Sequence, residues 1–324
     1  MTATTPAVEV RGLVKRFGDT RALDGLDLCV PEGAFFGLLG PNGAGKTTAV
    51  SVLSTLLRPD GGTAHLLGHD VVTESAAVRP LVGLVFQEAT LDPELTPREH
   101  LDLYARLYHL TDRRARVAEM LALIGLEDDA DRVTRGFSGG MKRRLEIGRG
   151  LLHRPRVLFL DEPTLGLDVA ARAVVWEHLR HLREAAGATI FLTTHYMEEA
   201  DRLCESLAIV NRGRVVAQGA PEELKRALGG DVVCLDVERL DGIESQLSNV
   251  DGVIDVVREE GADGSSGSVR VTLNDGPRRL AALLEAARAH GVCEVTLHRP
   301  TLDHVFLHHT GTHLDTDART ESAA

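Results

Sequence analysis

Short runs of apolar residues alternate with stretches of helical periodicity through the first two thirds of the chain. The apolar runs predict β-strands at 8–14, 26–30, 35–39, 81–86, 157–160, 189–192 and 207–210. The periodic stretches predict helices at 47–57, 169–184 and 221–228. Several of the strands are apolar throughout, as strands buried on both faces of a parallel sheet usually are. The alternation of strands and helices therefore predicts an α/β fold with a parallel sheet core.

Residues 96–153 differ in character, because helical periodicity continues there without an intervening strand. Thr96 and Pro97 are typical of a helix start, with threonine as the cap and proline in the first turn. Apolar residues from Leu101 onward recur at helical spacing, and residues 113–124 repeat that pattern. We therefore expect a helical insertion between two strands of the sheet.

A second pattern begins after the glycine pair at positions 229 and 230. It predicts the order strand, helix, strand, strand, helix, strand, at 231–237, 243–247, 253–257, 269–273, 278–290 and 294–297, with a loop at 261–268 and one more helix at 302–309. This order is that of a small α+β ferredoxin-like unit. We expect one domain at 1–228, a second at 229–310, and a disordered polar tail at 311–324.

Composition narrows the classes of function. The chain has 324 residues, a net charge of −12 and a pI near 5.6, and this acidic balance argues against nucleic acid as a partner. Its four cysteines are scattered without a CxxC pair, which indicates free thiols rather than a zinc ribbon or a disulfide framework. The N-terminus lacks the features of a signal peptide, and no apolar stretch approaches the roughly 20 residues of a membrane helix. Any membrane role is therefore expected to come through a partner.

A glycine-rich loop lies between the strand predicted at 35–39 and the helix predicted at 47–57. It fits the pattern G-x-x-x-x-G-K-[S/T] with Gly40, Pro41, Asn42, Gly43, Ala44, Gly45, Lys46 and Thr47. Glycines leave backbone N–H groups open to phosphate oxygens, and the following helix adds its positive dipole end. We expect Lys46 to reach the β and γ phosphates, Thr47 to place a hydroxyl on Mg²⁺, and Thr48 to adjoin the nucleotide.

Two carboxylates follow the apolar strand at 157–160, namely Asp161 and Glu162. A nucleotide needs a divalent cation, and a carboxylate at a strand tip can hold it, which suits Asp161 as a Mg²⁺ ligand. Glu162 is then the candidate that orients or deprotonates the attacking water. The alternative is that these acids only cap a helix.

Three further motifs accompany the glycine loop and the acidic pair. Residues 137–143 read FSGGMKR, residues 161–168 read DEPTLGLD, and residues 193–195 read TTH. Together with the loop they resemble an ATP-binding cassette (ABC) ATPase, over residues 8 to about 228. The resemblance implies a P-loop NTPase cassette with a mostly parallel sheet core, an antiparallel β subdomain, and a helical subdomain at about 96–153. It also implies ATP and Mg²⁺ as cofactors.

Several residues acquire roles through this resemblance. Ser138, Gly139 and Gly140 match the family signature, which presents a helix N-terminus to the γ-phosphate bound on another subunit. Gln87 matches the glutamine that contacts Mg²⁺ and water and senses the membrane partner. Asp168 matches the loop that crosses the dimer interface.

Two more residues complete the expected site. His195 matches the histidine that contacts the γ-phosphate, although a structural histidine is the alternative for that residue alone. Phe17 matches the aromatic that stacks on adenine, although a core aromatic is the alternative. Phe17 replaces the commoner tyrosine, and Phe137 and Met141 replace the commoner leucine and glutamine of the signature. The Ser-Gly-Gly centre of the signature is kept.

The family pattern places each nucleotide between the loop of one chain and Ser138 of another. It therefore implies a homodimer that ATP closes and hydrolysis opens, docked on an integral membrane permease at the cytoplasmic face of the cell membrane. A non-transport ABC ATPase acting on DNA or ribosomes is a different class, and the single cassette and acidic balance disfavour it. A third possibility is a regulatory module in which the C-terminal domain senses a ligand.

The C-terminal segment 299–311 carries a narrower resemblance. It reads RPTLDHVFLHHTG and is similar to the segment that closes daunorubicin/doxorubicin-resistance type ATP-binding proteins. That resemblance implies a multidrug exporter subunit, while exporters of lipid, polysaccharide or ions share much of the pattern. An amphipathic helix that packs on the C-terminal domain is the simpler interpretation. Five histidines also cluster near the C-terminus, namely His298, His304, His308, His309 and His313. They could form a zinc site or a cluster on the surface, and the surface cluster is favoured.

Overall fold

The computed structural model describes residues 6–88, 90–260 and 267–310. The strands up to residue 220 are β1 (Val8–Phe17), β2 (Thr20–Val30), β3 (Phe35–Leu39), β4 (Gly61–Leu66), β5 (His69–Asp70), β6 (Val82–Val85), β7 (Val157–Asp161), β8 (Thr189–Thr194), β9 (Ser206–Asn211) and β10 (Arg214–Gly219). The helices are α1 (Lys46–Leu53), α2 (Ser75–Val78), α3 (Pro97–Leu107), α4 (Arg113–Leu123), α5 (Gly139–Leu151), α6 (Val169–Ala186) and α7 (Met197–Leu203).

A six-stranded sheet forms the centre of this part of the chain, in the order β10-β9-β3-β8-β7-β6. All its neighbours pair in parallel except β10, which pairs antiparallel with β9. Every residue of β3, β7 and β8 is buried, which agrees with the apolar runs in the sequence. The ring of Phe191 packs at tilted angles against those of Phe36 and Phe159 on the neighbouring strands, with centroids 5.3 and 5.2 Å apart. The predicted mostly parallel core is confirmed.

A second, antiparallel sheet has the strand order β2-β1-β4-β5. The apolar runs in the sequence predicted parts of β1 and β2 but not β4 or β5. Strand β4 begins with two glycines and carries few apolar residues, so its sequence resembles a loop. Its pairing with β1 fixes it as a strand, and that is a tertiary contact that local periodicity does not contain.

Helices α3, α4 and α5 occupy the stretch expected to be a helical insertion. Helix α3 begins with a capping box, in which Thr96 accepts a hydrogen bond from the Glu99 amide at 3.2 Å. The Glu99 carboxylate in turn accepts from the Thr96 amide at 2.8 Å. The end of α1 differs from the prediction, because it stops at Leu53 rather than at residue 57. Thr55 there has φ 66°, which a continuing right-handed helix does not allow.

The second compact unit contains β11 (Asp231–Val237), β12 (Val253–Glu260), β13 (Gly267–Leu273), β14 (Val292–His298), α8 (Pro221–Arg226), α9 (Ile243–Leu247), α10 (Gly276–Ala287) and α11 (Leu302–Thr310). Its four strands are ordered β12-β13-β11-β14, and every pair is antiparallel. This arrangement is compatible with the predicted ferredoxin-like unit. A separate apolar core lies between the sheet and α9 and α10.

The first unit ends at Ala220 and the second begins at Pro221, whereas the sequence pattern predicted a boundary after residue 228. The difference is α8, which contacts α11 and therefore belongs with the second unit. Most of the loop predicted at 261–268, and the tail predicted to be disordered at 311–324, lie outside the described residues. Within the described ranges, no helix combines the length and apolarity needed to cross a membrane.

We predict that Thr96→Ala accelerates hydrogen exchange of the first-turn amides of α3 roughly fivefold, because losing a capping side chain costs about 1 kcal/mol. Asp112, which precedes α4 without a side-chain capping bond, is the matched control. Hydrogen-exchange mass spectrometry compares the two helices. An equal effect of Thr96→Ala and Asp112→Ala on their own helices would show that the capping box contributes nothing.

Candidate nucleotide site

A cavity of about 530 Å³ opens at the carboxyl ends of the central strands. Its lining includes most of the residues expected from the sequence, namely Phe17, Pro41, Asn42, Gly43, Ala44, Gly45, Lys46, Thr47, Thr48, Gln87, Glu162 and His195. Strands β3, β7 and β8 are neighbours, so the segments that follow them meet at one edge of the sheet. Residues that lie more than a hundred positions apart in sequence are thereby brought together.

The glycine loop has the backbone that its sequence predicts. Gly45, which precedes α1, has φ 105°, and a Cβ there would lie 2.4 Å from the Ala22 carbonyl oxygen. A Cβ on Gly40 would lie 2.3 Å from the Val210 carbonyl oxygen. The loop is therefore packed against neighbouring backbone, and only glycine fits at these two positions.

Three ionisable side chains meet at the base of the cavity. Lys46 Nζ lies 3.0 Å from Glu162 Oε1, and His195 Nδ1 lies 2.7 Å from Glu162 Oε2. Lys46 also donates to the carbonyl oxygens of Gly40 at 2.7 Å and Pro41 at 3.1 Å. Lys46 and Glu162 are each only 5% exposed, so the charges compensate one another in a site with little water.

These contacts set the protonation of Glu162. Burial by itself raises the pKa of this carboxyl, but the hydrogen bond from His195 and the charge of Lys46 outweigh burial and hold the pKa below its ordinary value. Glu162 is therefore ionised at neutral pH and can accept a proton. Both of its oxygens are occupied by protein partners, so a water molecule that reacts there has to compete with them.

The backbone of Glu162 is held in an uncommon conformation. Its φ is 47°, in the left-handed region, which costs a non-glycine residue about 1–3 kcal/mol. Its amide donates to both the carbonyl and the hydroxyl oxygen of Thr193 at 3.1 Å. The Thr193 hydroxyl also donates to Asp161 Oδ1. Strand β8 thus fixes both acidic residues at the end of β7.

The structure distinguishes between the alternatives for Phe17. Its ring is 52% exposed and lines the cavity, with Lys15 Nζ 5.7 Å from the ring centroid. An aromatic in this position is not a core residue, and its face is open to a planar ligand.

The signature residues lie outside the cavity of their own chain. Ser138 caps α5 and accepts from the Met141 amide at 3.3 Å, and Ser138 and Gly139 are exposed while Gly140 is buried. Asp168 caps α6, accepts from the Ala171 amide at 2.8 Å, and is also exposed. The described part of one chain therefore contains the glycine loop in its cavity and, outside that cavity, the exposed N-terminal residues of α5.

Asp161, expected to be a metal ligand, lies just behind the cavity rather than in its lining. It is 2% exposed, and Thr193 is bonded to its carboxylate. Thr47 and Gln87 do line the cavity. A hydroxyl, an amide oxygen and a carboxylate are the hard oxygen donors that Mg²⁺ prefers, so the chemistry of this donor set suits Mg²⁺.

Several buried polar residues around the site were not predicted from the sequence. Glu199 has no exposed surface, and its Oε1 accepts from Thr164 Oγ1 and Trp176 Nε1, each at 2.8 Å. Burial raises the pKa of Glu199 despite these bonds. Arg143 and Glu146 form a buried ion pair at 3.1 Å on α5. The sequence does place charged residues on the face of a helix that its periodicity predicts to be buried. Periodicity alone does not show which partners such charged residues bind.

The C-terminal histidines do not form a metal site in the part of the chain that is described. No group of three or more His, Cys, Asp or Glu side chains is arranged there to hold an ion. His304 accepts from the Thr301 amide at 3.1 Å, so it acts within the start of α11. His313 lies outside the described residues.

Comparison with known proteins agrees with the geometry. The family model described as ABC transporter matches residues 23–165. The family model described as the C-terminal domain of DrrA1-3-like ATP-binding proteins matches residues 219–310. The first match lies within the first compact unit, and all but the first two residues of the second match lie within the second unit.

Two relatives align over nearly the whole chain. The daunorubicin resistance ATP-binding protein DrrA3 of Streptomyces coeruleorubidus is 45% identical, and the alignment covers 98% of this chain and 99% of that protein. The Nod factor export ATP-binding protein I of Ralstonia nicotianae is 40% identical, with 95% of each chain covered.

Solved structures resemble the larger unit. CbiO1 of Clostridium perfringens, part of an ABC transporter complex, matches with a TM-score of 0.64 and 28% identity, covering 68% of this chain and 90% of that chain. The ATP-binding cassette MJ0796, solved as a dimer with ADP and Pi, matches with a TM-score of 0.59 and 27% identity, covering 66% and 98%.

We predict that Lys46→Met raises the pKa of Glu162, because burial is then opposed by His195 alone. A ¹³C titration of glutamate side chains measures this, with Glu162→Gln identifying the signal. The native folded-state pKa lies below that of an unfolded chain, about 4.3, so these contacts stabilise the fold above that pH. Their stabilisation is lost as the pH falls through the folded-state pKa. An unchanged pKa in Lys46→Met would contradict this account of the site.

Proposed function

This chain belongs to the ABC transporter family as an ATP-binding subunit, and from that premise we propose that it hydrolyses ATP as a homodimer to drive export through a separate membrane permease. The observation that carries the proposal is the convergence of Lys46, Glu162 and His195 beneath the glycine loop. A plain nucleotide-binding loop needs no buried carboxylate at its base. A hydrolase does, because water has to be oriented and deprotonated.

The residues divide the work between binding and hydrolysis. We assign the phosphates to the loop 40–48, where backbone amides and Lys46 supply positive charge. Phe17 offers its exposed face to adenine. Glu162 accepts the proton of the attacking water, and His195 stays near the γ-phosphate. When nucleotide binds, Lys46 pairs with phosphate oxygens instead of with Glu162. The Glu162 carboxylate is then free to bind water, and the loss of the Lys46 partner raises the pKa of Glu162.

Mg²⁺ belongs to the proposal through Thr47, Gln87 and Asp161. Thr47 and Gln87 would hold the ion directly or through water, and Asp161 would act from behind the cavity wall. The ion would supply Lewis-acid stabilisation of the phosphate charge. Thr193, which donates to the Asp161 carboxylate, fixes the direction in which that group points.

The location of the signature helix supports the proposed homodimer. Ser138, Gly139 and Asp168 are exposed, and neither they nor the buried Gly140 line the cavity of their own chain. The N-terminus of a 13-residue helix carries positive potential and free amides, which suit a γ-phosphate bound on a second copy. The dimeric MJ0796 cassette supports this arrangement in a similar fold.

The proposed cargo is a drug-like hydrophobic compound, exported from the cytoplasmic side by a permease on which this chain docks peripherally. The whole-chain similarity to a daunorubicin resistance protein supports it. The similar Nod factor export protein shows that related chains serve export of a different cargo, and it favours the second possibility that this chain drives export of a lipid, a polysaccharide or an ion.

We predict that Glu162→Gln retains ATP binding but accumulates as a closed dimer, because the bound nucleotide is no longer cleaved. Gel filtration with ATP and Mg²⁺ should show elution at the dimer volume. Adding Lys46→Ala to the same chain should restore monomer elution, because the loop then binds phosphate poorly. A Glu162→Gln protein that stays monomeric with ATP at every concentration would refute the nucleotide-driven dimer.

We predict ATP-dependent doxorubicin accumulation in inside-out vesicles that contain this chain and its permease. Glu162→Gln should abolish accumulation while leaving the chain bound to the vesicles. Fluorescence quenching of doxorubicin reports transport. If the permease stimulates ATP hydrolysis but no doxorubicin accumulates, the drug-like cargo is wrong and the alternative cargoes are favoured.

A further inference from the structure

Arg143 occupies a buried position at which three separate parts of the first unit meet. Its guanidinium donates to the carbonyl oxygens of Phe86 at 2.6 Å, Asp161 at 3.0 Å and Pro163 at 2.6 Å. A fourth bond at 3.1 Å goes to Glu146, one turn further along α5. The side chain is only 6% exposed, so these bonds are not shared with solvent.

The carbonyl partners flank residues of the proposed site. Phe86 immediately precedes Gln87, and Asp161 and Pro163 stand on either side of Glu162. The peptide group between Asp161 and Glu162 is held at both ends, because Arg143 binds its oxygen and Thr193 binds its N–H. Such a restraint is what a residue with a positive φ needs in order to keep its conformation.

Glu146 connects Arg143 to Thr90, which follows Gln87 in the sequence. Its Oε1 accepts from the Thr90 amide at 2.8 Å while its Oε2 binds Arg143. Arg149, one turn further, donates to the Thr90 carbonyl at 3.1 Å and hydroxyl at 2.6 Å. One face of α5 therefore binds the residues on both sides of Gln87.

We propose that Arg143, with Glu146, is a positioning residue for ATP hydrolysis, which fixes the segments bearing Gln87 and Glu162 onto the helix that begins at Ser138. This inference rests on the proposed ATPase function. A planar guanidinium with five donors can bond to three carbonyls and a carboxylate at once, whereas the ammonium of lysine donates from a single point. Arg143 lies outside the cavity lining, so its role is geometric and not one of binding nucleotide.

The chain contains a closely matched control in Arg116. This residue also donates to two main-chain carbonyls, those of Leu151 and Leu152, and pairs with a glutamate three positions on, Glu119. Its side chain is 12% exposed. Its carbonyl partners lie at the end of α5 and Glu119 lies on α4, so none of them adjoins Gln87 or Glu162 in the sequence.

The test compares Arg143→Lys with Arg116→Lys in the full chain, measuring kcat, the Kd for ATP and the thermal midpoint. We expect Arg143→Lys to lower kcat roughly tenfold or more, because small displacements of reacting groups cost that much. Its Kd should stay within about twofold of the native value, because the phosphate-binding loop is unchanged. Arg116→Lys should keep both kcat and Kd.

Each outcome decides. If Arg143→Lys and Arg116→Lys have the same kcat, or if Arg143→Lys loses ATP affinity in proportion to rate, the positioning role is overturned. If the native chain and Arg116→Lys do not hydrolyse ATP at all, the proposed function fails instead.

Should Arg143→Lys not fold, Glu146→Gln decides, because glutamine has one acceptor oxygen for the two bonds that Glu146 accepts. An unchanged kcat in Glu146→Gln would then overturn the inference.

Discussion

A buried carboxylate between a lysine and a histidine is the constraint on which the site depends. Glu162 is 5% exposed, and an unpaired charge at that depth would be strongly unfavourable. Lys46 and His195 remove that cost only if the glycine loop, the end of β7 and the end of β8 lie within hydrogen-bond distance. The parallel order β3-β8-β7 provides this, because it brings the carboxyl ends of the three strands to one edge.

Most residues of the candidate site could be predicted from the sequence, but fewer of the strands, helices and buried residues around it could. The spacing of the loop and the acidic pair following an apolar strand were enough to predict Lys46, Thr47, Asp161 and Glu162 as neighbours. Strand β4 could not be predicted, because its two glycines resemble a loop and only pairing with β1 makes it a strand. The predicted domain boundary lies after α8 and the boundary in the structure lies before it, for a similar reason. Helix α8 belongs to the second unit through its contact with α11, which its own sequence does not reveal.

The residues that sequence reasoning missed are buried and charged. Their partners are main-chain atoms, and no residue pattern records where a carbonyl oxygen of another segment will lie. Arg143 is the clearest case, because its bonds connect residue 143 to carbonyls about twenty and nearly sixty positions away. These bonds connect α5 to the two segments that bear Gln87 and Glu162.

In the proposed homodimer, each ATP site is shared by two copies of the chain. Mixing inactive Lys46→Ala protein with inactive Ser138→Arg protein tests it most directly, because a mixed dimer contains one site with both defects and one with neither. Random pairing predicts recovery of roughly a quarter of the native ATPase activity in an equimolar mixture. A mixture that stays as inactive as its components, although mixed dimers form, would contradict the claim.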